Sequence, residues 1–184
     1  ITGPDANTPL KIGPGVGDIV PAMLAAVGIL AAVRHAEKTG EGQFVDVAMY
    51  VSILALCERI VYQHSYDGTV PGPEGNSHPL LCPFGLFPAA DGWVSIACPQ
   101  DHFWKILAAE MGKPELGDDI CYALNIDRVK RNAEVVAMVG DWTRKLTKKQ
   151  LAAHLGGKIP FGPVNNAADI FADPHVAARQ MLAE

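Results

Sequence analysis

The stretch GPGVGDIVPAMLAAVGILAAV, residues 13–33, decides how the first part of this chain folds. Three glycines within five residues indicate a turn, and Asp18 follows them directly. The apolar residues after Asp18 fall on nearly every face of a helix, which is typical of a helix surrounded by protein. Lys38 fits the last turn of this helix and Gly40 fits its end. The sequence therefore predicts a glycine turn that leads into one long, buried helix starting at Asp18.

Two interpretations of Asp18 are open at this point. Aspartate is among the residues that best cap a helix N-terminus, so Asp18 could simply be the N-cap. Alternatively, Asp18 is a carboxylate nucleophile. The positive end of a helix favours the charged carboxylate, and an apolar helix behind it would supply a dry and rigid site. The two roles do not exclude each other.

The glycine turn does not have the spacing of a nucleotide-binding motif. Gly13, Gly15 and Gly17 form the pattern GxGxG, whereas the dinucleotide-binding motif is GxGxxG and follows a strand. No Lys-Ser or Lys-Thr pair stands directly after these glycines, as it would in a phosphate-binding P-loop. Glycines do let another group approach the backbone closely, beside helix-start amides that lack partners. Gly15 and Gly17 are therefore candidate substrate-binding residues.

The composition argues against several classes of function. The chain has 184 residues, a formal net charge of -5, 49% apolar residues and 19% charged residues. These values are typical of a soluble folded protein. A mild negative charge gives no basic surface for nucleic acid or for an anionic membrane. We therefore expect neither nucleic acid nor a membrane as a partner.

The cysteines and the apolar run favour a cytoplasmic protein. The four cysteines are irregularly spaced with no CxxC pair, and the histidines share no metal-ligand spacing, so no metal site is expected. Residues 1–10 lack the basic start and apolar run of a signal peptide. The apolar segment 19–33 would extend only about 22 Å as a helix. A bilayer core is about 30 Å thick, so we expect a buried helix and not a membrane span.

The middle of the chain predicts a change of architecture. A short strand over 43–47 and a second apolar helix over 49–66 follow the first helix. Residues 67–83 are dense in Pro, Gly, Asn and Ser, which is typical of a hinge between two units. Short strands over 84–87 and 93–97 then flank a turn with Gly92, which predicts a β-hairpin.

The remaining sequence predicts helices and one further β-like run. The predicted elements are a helix over 101–111, a helix to about Leu146 capped by Asn132, a helix opened by a capping box at 147–150, a β-like run over 159–164, and a helix capped by Asp173. The segment after the hinge is therefore interpreted as a small α+β domain, and the segment before it as part of an α/β layer.

Several motifs along the whole chain resemble those of family III CoA-transferases, the CaiB/BaiF family. Three consecutive features of this chain resemble the central signature of that family: Gly17-Asp18, the apolar helix, and KTGEGQFVDVAM at 38–49. The other similar motifs are His78-Pro79, the run 84–92, Asn125, Arg128 and Asn132, the run 159–165, and Asp173-Pro174-His175 with Arg179.

The resemblance implies a fold and a chemistry. The expected fold class is α/β, with a Rossmann-like helical remnant of a large domain and a small α+β domain. The expected division is 1–67 for the large-domain part carrying the catalytic Asp, 68–83 for the hinge, 84–157 for the small domain and 158–184 for a segment that returns toward the large domain. The implied enzyme moves CoA from an acyl-CoA thioester to a carboxylic acid, with Asp18 as nucleophile. CoA and acyl-CoA are then substrates, with no permanently bound cofactor, and the implied assembly is an interlocked homodimer.

The resemblance also leaves His78 and the hinge open. His78 either lines the mouth of the active site and binds substrate, or it is a structural loop histidine. The loop over 71–79 holds only Gly72 and Gly75, where formyl-CoA-transferase-like relatives have a run of glycines, so a different acid is expected. The chain ends at Leu182-Ala183-Glu184 within a predicted helix. We therefore expect an internal fragment that lacks the CoA-binding half and the C-terminal end, and that is inactive and aggregation-prone alone.

Two further functions are compatible with the same motifs. An acyl-CoA racemase of the same superfamily would use Asp18 as a general acid and base at the α-carbon of the acyl group. A non-catalytic subunit would keep the fold without the reaction. The runs 84–92 and 162–165 resemble the transferases more closely, which favours transfer of CoA.

Overall fold

The computed structural model describes residues 2–182, apart from the side chain of Glu58. The chain divides between Gly75 and Asn76 into two compact units, here called the first unit and the second unit. Ala183 and Glu184, the end of the predicted last helix and of the predicted return segment, lie outside the described residues. The finer division at 67, 83 and 157 stays a prediction.

The first unit contains three helices in its described part. They are α1 (Val16–Thr39), α2 (Met49–Ala55) and α3 (Glu58–Asp67). Gly40 ends α1 in the left-handed conformation, with φ of 77°, and its amide donates to Ala36 at 2.8 Å, which confirms the predicted helix end. The predicted single helix over 49–66 is wrong, because the chain breaks between α2 and α3 with no Gly or Pro to mark the break.

The start of α1 differs from the prediction by two residues. Gly15 is the N-cap and Val16 the first helical residue, so Asp18 is third in the helix and Pro21 is sixth. Pro21 therefore lies beyond the first turn of α1, and it cannot supply the amide that the carbonyl of Gly17 would normally receive. Glycines at positions 15 and 17 hid the helix start, because glycine is a weak helix former.

The predicted strand over 43–47 is wrong. This segment has no regular secondary structure, and the described residues of the first unit contain no strand with which it could pair. Backbone groups of a strand need such a partner. The segment packs on α1 instead: a Cβ added to Gly28 would lie 2.9 Å from a methyl group of Val45. Glycine at position 28 thus lets the side chain of Val45 pack closely against the backbone of α1.

Most of α1 is uncovered within the first unit, contrary to the predicted burial. Pro21 is its one buried described residue. The residues that face the unit are small, and the large apolar side chains stay exposed, namely Ile19, Met23, Leu24, Val27, Ile29, Leu30 and Val33. By length and composition alone, α1 is the one described helix that could cross a membrane, a property it shares with core helices of soluble proteins.

The second unit is built on a three-stranded antiparallel sheet. Its strands are β1 (Phe84–Ala89), β2 (Gly92–Ala97) and β3 (Phe161–Pro163), in the order β1-β2-β3. Residues 90 and 91 join the first two strands, with φ of 144° at Gly92, and this confirms the predicted hairpin. The short β3 confirms the predicted β-like run.

Six α-helices and one short 3₁₀ helix (Pro114–Gly117) accompany this sheet in the described part of the second unit. The α-helices are α4 (Asp101–Glu110), α5 (Asn125–Lys130), α6 (Asn132–Thr143), α7 (Lys148–Leu155), α8 (Ala167–Ala172) and α9 (Pro174–Ala178). The predicted capping box of Thr147 and Gln150 and the predicted cap by Asp173 are both confirmed. Asn132 is the first residue of α6 and not its cap, which is Arg131. The mixed architecture agrees with the predicted α/β fold class.

The core of the second unit joins one face of the sheet to α4, α6 and α7. Its largest apolar members are fully or almost fully buried: Phe87, Val94, Ile96, Trp104, Leu107, Val135, Val139, Leu151 and Leu155. Burying such side chains contributes about 1.5–3 kcal/mol each. This core gives the loops around the sheet a rigid support.

One charged residue lies inside this core. The side chain of Arg128 on α5 is 0% exposed. Its guanidinium donates to the carbonyls of Cys82, Tyr122 and Ala123 at 2.7–2.8 Å and to the carboxylate of Asp101 at 2.8 Å. A buried charge is tolerated only when it is paired and hydrogen-bonded. Arg128 therefore fixes the chain on both sides of α4 and just before β1.

Gly85 in β1 is expected to resist substitution. A Cβ at this position would lie 1.8 Å from the carbonyl oxygen of Asn76, far inside contact distance. Gly85→Ala should therefore lower the free energy of unfolding by about 1–3 kcal/mol, because the segment before β1 must move. Gly162→Ala in β3 is the matched control, since nothing lies within 4 Å of its Cβ position. Equal stability of the two variants in urea unfolding would contradict this packing.

Candidate functional site

Asp18 lies beside the glycine turn at the start of α1. The carbonyl of Gly15 accepts the amides of Asp18 at 3.1 Å and Ile19 at 2.9 Å, which closes the first helical turn. A Cβ added to Gly15 would lie 3.5 Å from Oδ2 of Asp18. The carboxylate is therefore close to the turn, as the sequence predicted. Because Gly15 occupies the N-cap, the interpretation of Asp18 as the N-cap is wrong.

A second aspartate at the same helix position shows what Asp18 lacks. Asp169 is also the third residue of its helix, and its carboxylate accepts the amide of Asn166 at 3.1 Å and the ammonium of Lys148 at 3.0 Å. The Asn166 amide, and then the Lys148 ammonium, hold the pKa of Asp169 below its ordinary value. Among the described residues, the exposed side chain of Asp18 makes no hydrogen bond or ion pair. Its carboxylate is thus available for chemistry.

The surroundings of Asp18 are open and carry positive polarity. Nothing lies within 4 Å of a Cβ placed on Gly13 or Gly17. The ammonium of Lys11 rests on the carbonyls of Ile12 at 3.2 Å and Gly13 at 3.5 Å, at the entry to the turn. The first amides of α1 add the positive end of the helix dipole. This arrangement suits an anionic group that reacts with an approaching molecule.

His78 belongs to the second unit and makes local contacts there. Its ring stacks on Phe84, with centroids 5.0 Å apart and an angle of 24° between the planes. Its Nδ1 accepts the amide of Leu80 at 3.1 Å. The structural role that the sequence left open is therefore present, and substrate binding by His78 stays a prediction. Gly15, Gly17 and Asp18 thus lie together at the start of α1, whereas His78 belongs to the other unit.

Neither the two buried cysteines nor the possible metal ligands offer an alternative centre among the described residues. No group of three or more His, Cys, Asp or Glu side chains that could hold a metal occurs within residues 2–182. Burial raises the pKa of Cys82 to about 11 and that of Cys98 to about 12. Both thiols stay protonated near neutral pH, and only a thiolate is a good nucleophile. Within the described chain, this leaves Asp18 as the best candidate.

One ion pair near the hinge was missed by the sequence. Arg59 on α3 donates to Gln63 at 2.7 Å and pairs with Glu74 at 3.2 Å, and the amide of Gly75 bonds to the carbonyl of Gly3 at 3.0 Å. These contacts attach the end of the first unit to α3 and to the N-terminal loop. Only the i,i+4 spacing of Arg59 and Gln63 was visible in the sequence.

Comparison with known proteins identifies the family of this chain. The model of CoA-transferase family III matches residues 1–184. The chain belongs to CoA-transferase family III. This confirms the family resemblance that the motifs indicated.

The relatives within family III include enzymes with named substrates. The chain is 49% identical over 184 residues to a succinyl-CoA:mesaconate CoA-transferase of Haloarcula marismortui, covering 100% of this chain and 46% of the relative. It is 34% identical to a succinyl-CoA–D-citramalate CoA-transferase of Chloroflexus aurantiacus, and the match covers 99% of this chain and 46% of the relative. The crystal structure of a CaiB/BaiF family protein from Brucella suis matches with a TM-score of 0.79 and 31% identity. This match covers 98% of this chain and 48% of the solved chain. The chain thus spans about half the length of these family III relatives.

The contrast between the two aspartates predicts different effects on stability in this family III chain. Asp18→Asn should change the free energy of unfolding by less than about 1 kcal/mol, because only the interaction with the helix dipole is reduced. Asp169→Asn should cost more, because it removes a charged partner of Lys148 and weakens the capping box. Urea unfolding of both variants measures this difference. A larger loss for Asp18→Asn would show a structural partner for Asp18.

Proposed function

We propose that this chain supplies the nucleophile of a CoA-transferase that moves CoA from an acyl-CoA thioester to a carboxylic acid. The observation that carries the proposal is the carboxylate of Asp18, which is exposed in the first turn of α1 and has no side-chain partner among the described residues. Family III membership and the names of the relatives support the reaction class.

The first half of the proposed reaction transfers CoA to the protein. The Asp18 carboxylate attacks the thioester carbonyl of the donor, the C–S bond breaks, and CoA leaves as a thiolate. The product on the protein is a mixed anhydride of Asp18 and the donor acid. The thiolate then attacks the aspartyl carbonyl, and the donor acid leaves as a carboxylate. Asp18 now carries CoA as a thioester, and covalent catalysis has divided the transfer into smaller steps.

The second half of the reaction repeats these steps with the acceptor. The acceptor carboxylate attacks the aspartyl thioester, which expels CoA thiolate and forms a second anhydride. The thiolate attacks the acceptor acyl carbonyl of this anhydride, which releases the new acyl-CoA and restores the Asp18 carboxylate. Charge and protons balance without a metal or a permanently bound cofactor. Open space at Gly17 and Gly13 would let the acyl-CoA approach.

The donor and the acceptor are proposed to be dicarboxylic acids. Succinyl-CoA:mesaconate, succinyl-CoA–D-citramalate and succinate–glutarate are the substrate pairs in the names of three relatives, and each acid has two carboxyl groups. One carboxyl group would carry the CoA, and the other would stay charged. We therefore propose succinyl-CoA as the donor to test first.

The proposed protein is a cytoplasmic, interlocked homodimer. The large apolar side chains exposed on α1 need cover, and the relatives are about twice as long as this chain. We propose that protein covers α1 in the complete dimer, and that residues 1–184 alone are inactive and prone to aggregate. Four free cysteines are compatible with a reducing compartment.

Trapping the covalent intermediate tests the proposed nucleophile. The complete protein would be incubated with succinyl-CoA and hydroxylamine, and the peptide with Asp18 measured by mass spectrometry. The expected result is a hydroxamate on Asp18, because hydroxylamine attacks an activated aspartyl carbonyl. Glu37→Gln, at the other end of α1, is the control that keeps the adduct, and Asp18→Asn should abolish it. No adduct on Asp18, with exchange of the α-proton into solvent, would favour the racemase instead.

Gly17→Ala separates substrate binding from folding. Alanine should stabilise the first turn of α1 by up to about 1 kcal/mol, because it is a better helix former and meets no atom within 4 Å. The same methyl group would narrow the approach to Asp18, so kcat/KM for succinyl-CoA should fall at least about tenfold. Gly42→Ala, which is equally uncrowded, is the control. Unchanged kcat/KM would remove Gly17 from the site.

A further inference from the structure

Lys11 is the one basic residue among residues 2–33 of the sequence, and it precedes Asp18 by seven positions. The backbone just before it is fixed. The amide of Leu10 donates to the carbonyl of Thr2 at 2.9 Å, and the hydroxyl of Thr2 donates to the carbonyl of Leu10 at 2.7 Å. The side chain of Lys11 therefore starts from a part of the first unit that is attached to the N-terminal loop.

The ammonium of Lys11 reaches the glycine turn, residues 13–17, and uses only part of its bonding capacity there. It donates to the carbonyls of Ile12 at 3.2 Å and Gly13 at 3.5 Å. An ammonium has three N–H donors, so these two neutral carbonyls leave one donor and the positive charge available. Lys11 makes no ion pair with a carboxylate among the described residues. Four lysines of the second unit differ, because each pairs with a carboxylate: Lys105, Lys130, Lys148 and Lys158.

Lys11 and Asp18 contact this turn at two nearby points. The Lys11 ammonium is bound at Gly13, and Oδ2 of Asp18 lies 3.5 Å from the position of a Cβ on Gly15. The backbone from Gly13 to Gly15 extends over at most about 7 Å. Nothing lies within 4 Å of a Cβ placed on Gly13, so the space beside the turn is open. A cation and a carboxylate thus lie along one short stretch of backbone without pairing with each other.

These two groups fit the two ends of a dicarboxylic acyl group. In succinyl-CoA, three C–C bonds separate the thioester carbon from the carboxylate carbon, which is about 4 Å when the chain is extended. A charge-assisted hydrogen bond adds about 3 Å between the carboxylate oxygen and an ammonium nitrogen. The reach of the acyl group is therefore comparable with the length of backbone between Gly13 and Gly15.

We propose that Lys11 determines specificity by binding the second carboxylate of a dicarboxylic acyl-CoA, while Asp18 attacks the thioester carbonyl. This inference rests on the proposed function for the acyl-CoA, and it assigns the preference for dicarboxylic acids to one side chain. A monocarboxylic acyl group of the same length offers Lys11 no anion, so Lys11 should contribute nothing to its binding.

Trapping with two donors tests this role in the complete protein. The donors are succinyl-CoA and butyryl-CoA, which has the same four-carbon chain without the second carboxylate, and the readout is kcat/KM for formation of the Asp18 hydroxamate. Lys11→Gln should lower this value about tenfold for succinyl-CoA and leave it unchanged for butyryl-CoA, as for loss of one hydrogen bond to a charged group. Lys11→Arg keeps the charge and should keep the preference. Lys38→Gln, at the other end of α1, is the control that should change neither donor.

A binding measurement tests the same role without any reaction. The Asp18→Asn protein, with and without Lys11→Gln, would be titrated with both thioesters by calorimetry. Succinyl-CoA should bind more tightly than butyryl-CoA only when Lys11 is present, and added salt should reduce this difference. A preference for succinyl-CoA that survives Lys11→Gln, or an equal loss for both donors, would overturn the proposal. No Asp18 hydroxamate in the unaltered protein, together with a binding preference that depends on Lys11, would instead reject the proposed function and leave the role of Lys11 intact.

Discussion

The buried guanidinium of Arg128 is the constraint on which the second unit depends. A charge that is 0% exposed must have its donors satisfied, and Arg128 reaches three carbonyls and one carboxylate to do so. Those partners lie before β1, at the start of α4 and before α5, so one side chain fixes three segments. The loop with His78 is held through the same network, because Asp101 binds both Arg128 and Asn125. Core stability and the placement of His78 therefore have a common cause.

The first unit contains the opposite case, because the charged side chain of Asp18 has no hydrogen-bond or ion-pair partner among the described residues. A glycine at the N-cap cannot accept the helix amides with a side chain, and the aspartate three residues later makes no capping bond of its own. In the second unit, the same helix position is filled by Asp169, which is locked by Asn166 and Lys148. Among the described residues, Asp18 thus makes none of the contacts that hold Asp169 in place. A carboxylate that lies at the positive end of a helix and has no structural role is suited to nucleophilic attack.

Sequence patterns that span only a few residues predicted the turns and helix caps of this fold correctly. The Ala90-Asp91-Gly92 turn predicted the hairpin, and Thr147 with Gln150 predicted a capping box, because each depends on neighbours within a few residues. The prediction of a strand over 43–47 was wrong, because a strand needs a neighbouring strand to pair with. Alternation of apolar and polar residues does not show whether such a neighbour exists. The helix start was displaced because Gly15 and Gly17 looked like a loop. The bond between Asn125 and Leu80 joins residues 45 positions apart, and no local pattern could reveal it.

An oxygen-labelling measurement tests most directly the covalent bond that Asp18 is proposed to form with its substrate. In the proposed anhydride steps, the oxygen that bridges Asp18 and the acceptor stays on Asp18 when CoA thiolate takes the acyl group. An acceptor acid labelled with heavy oxygen in its carboxyl groups should therefore leave one labelled oxygen in the Asp18 side chain after a single turnover, and up to two after many, as measured by mass spectrometry of that peptide. An Asp18 peptide that stays unlabelled while acyl-CoA product accumulates would contradict covalent catalysis by Asp18.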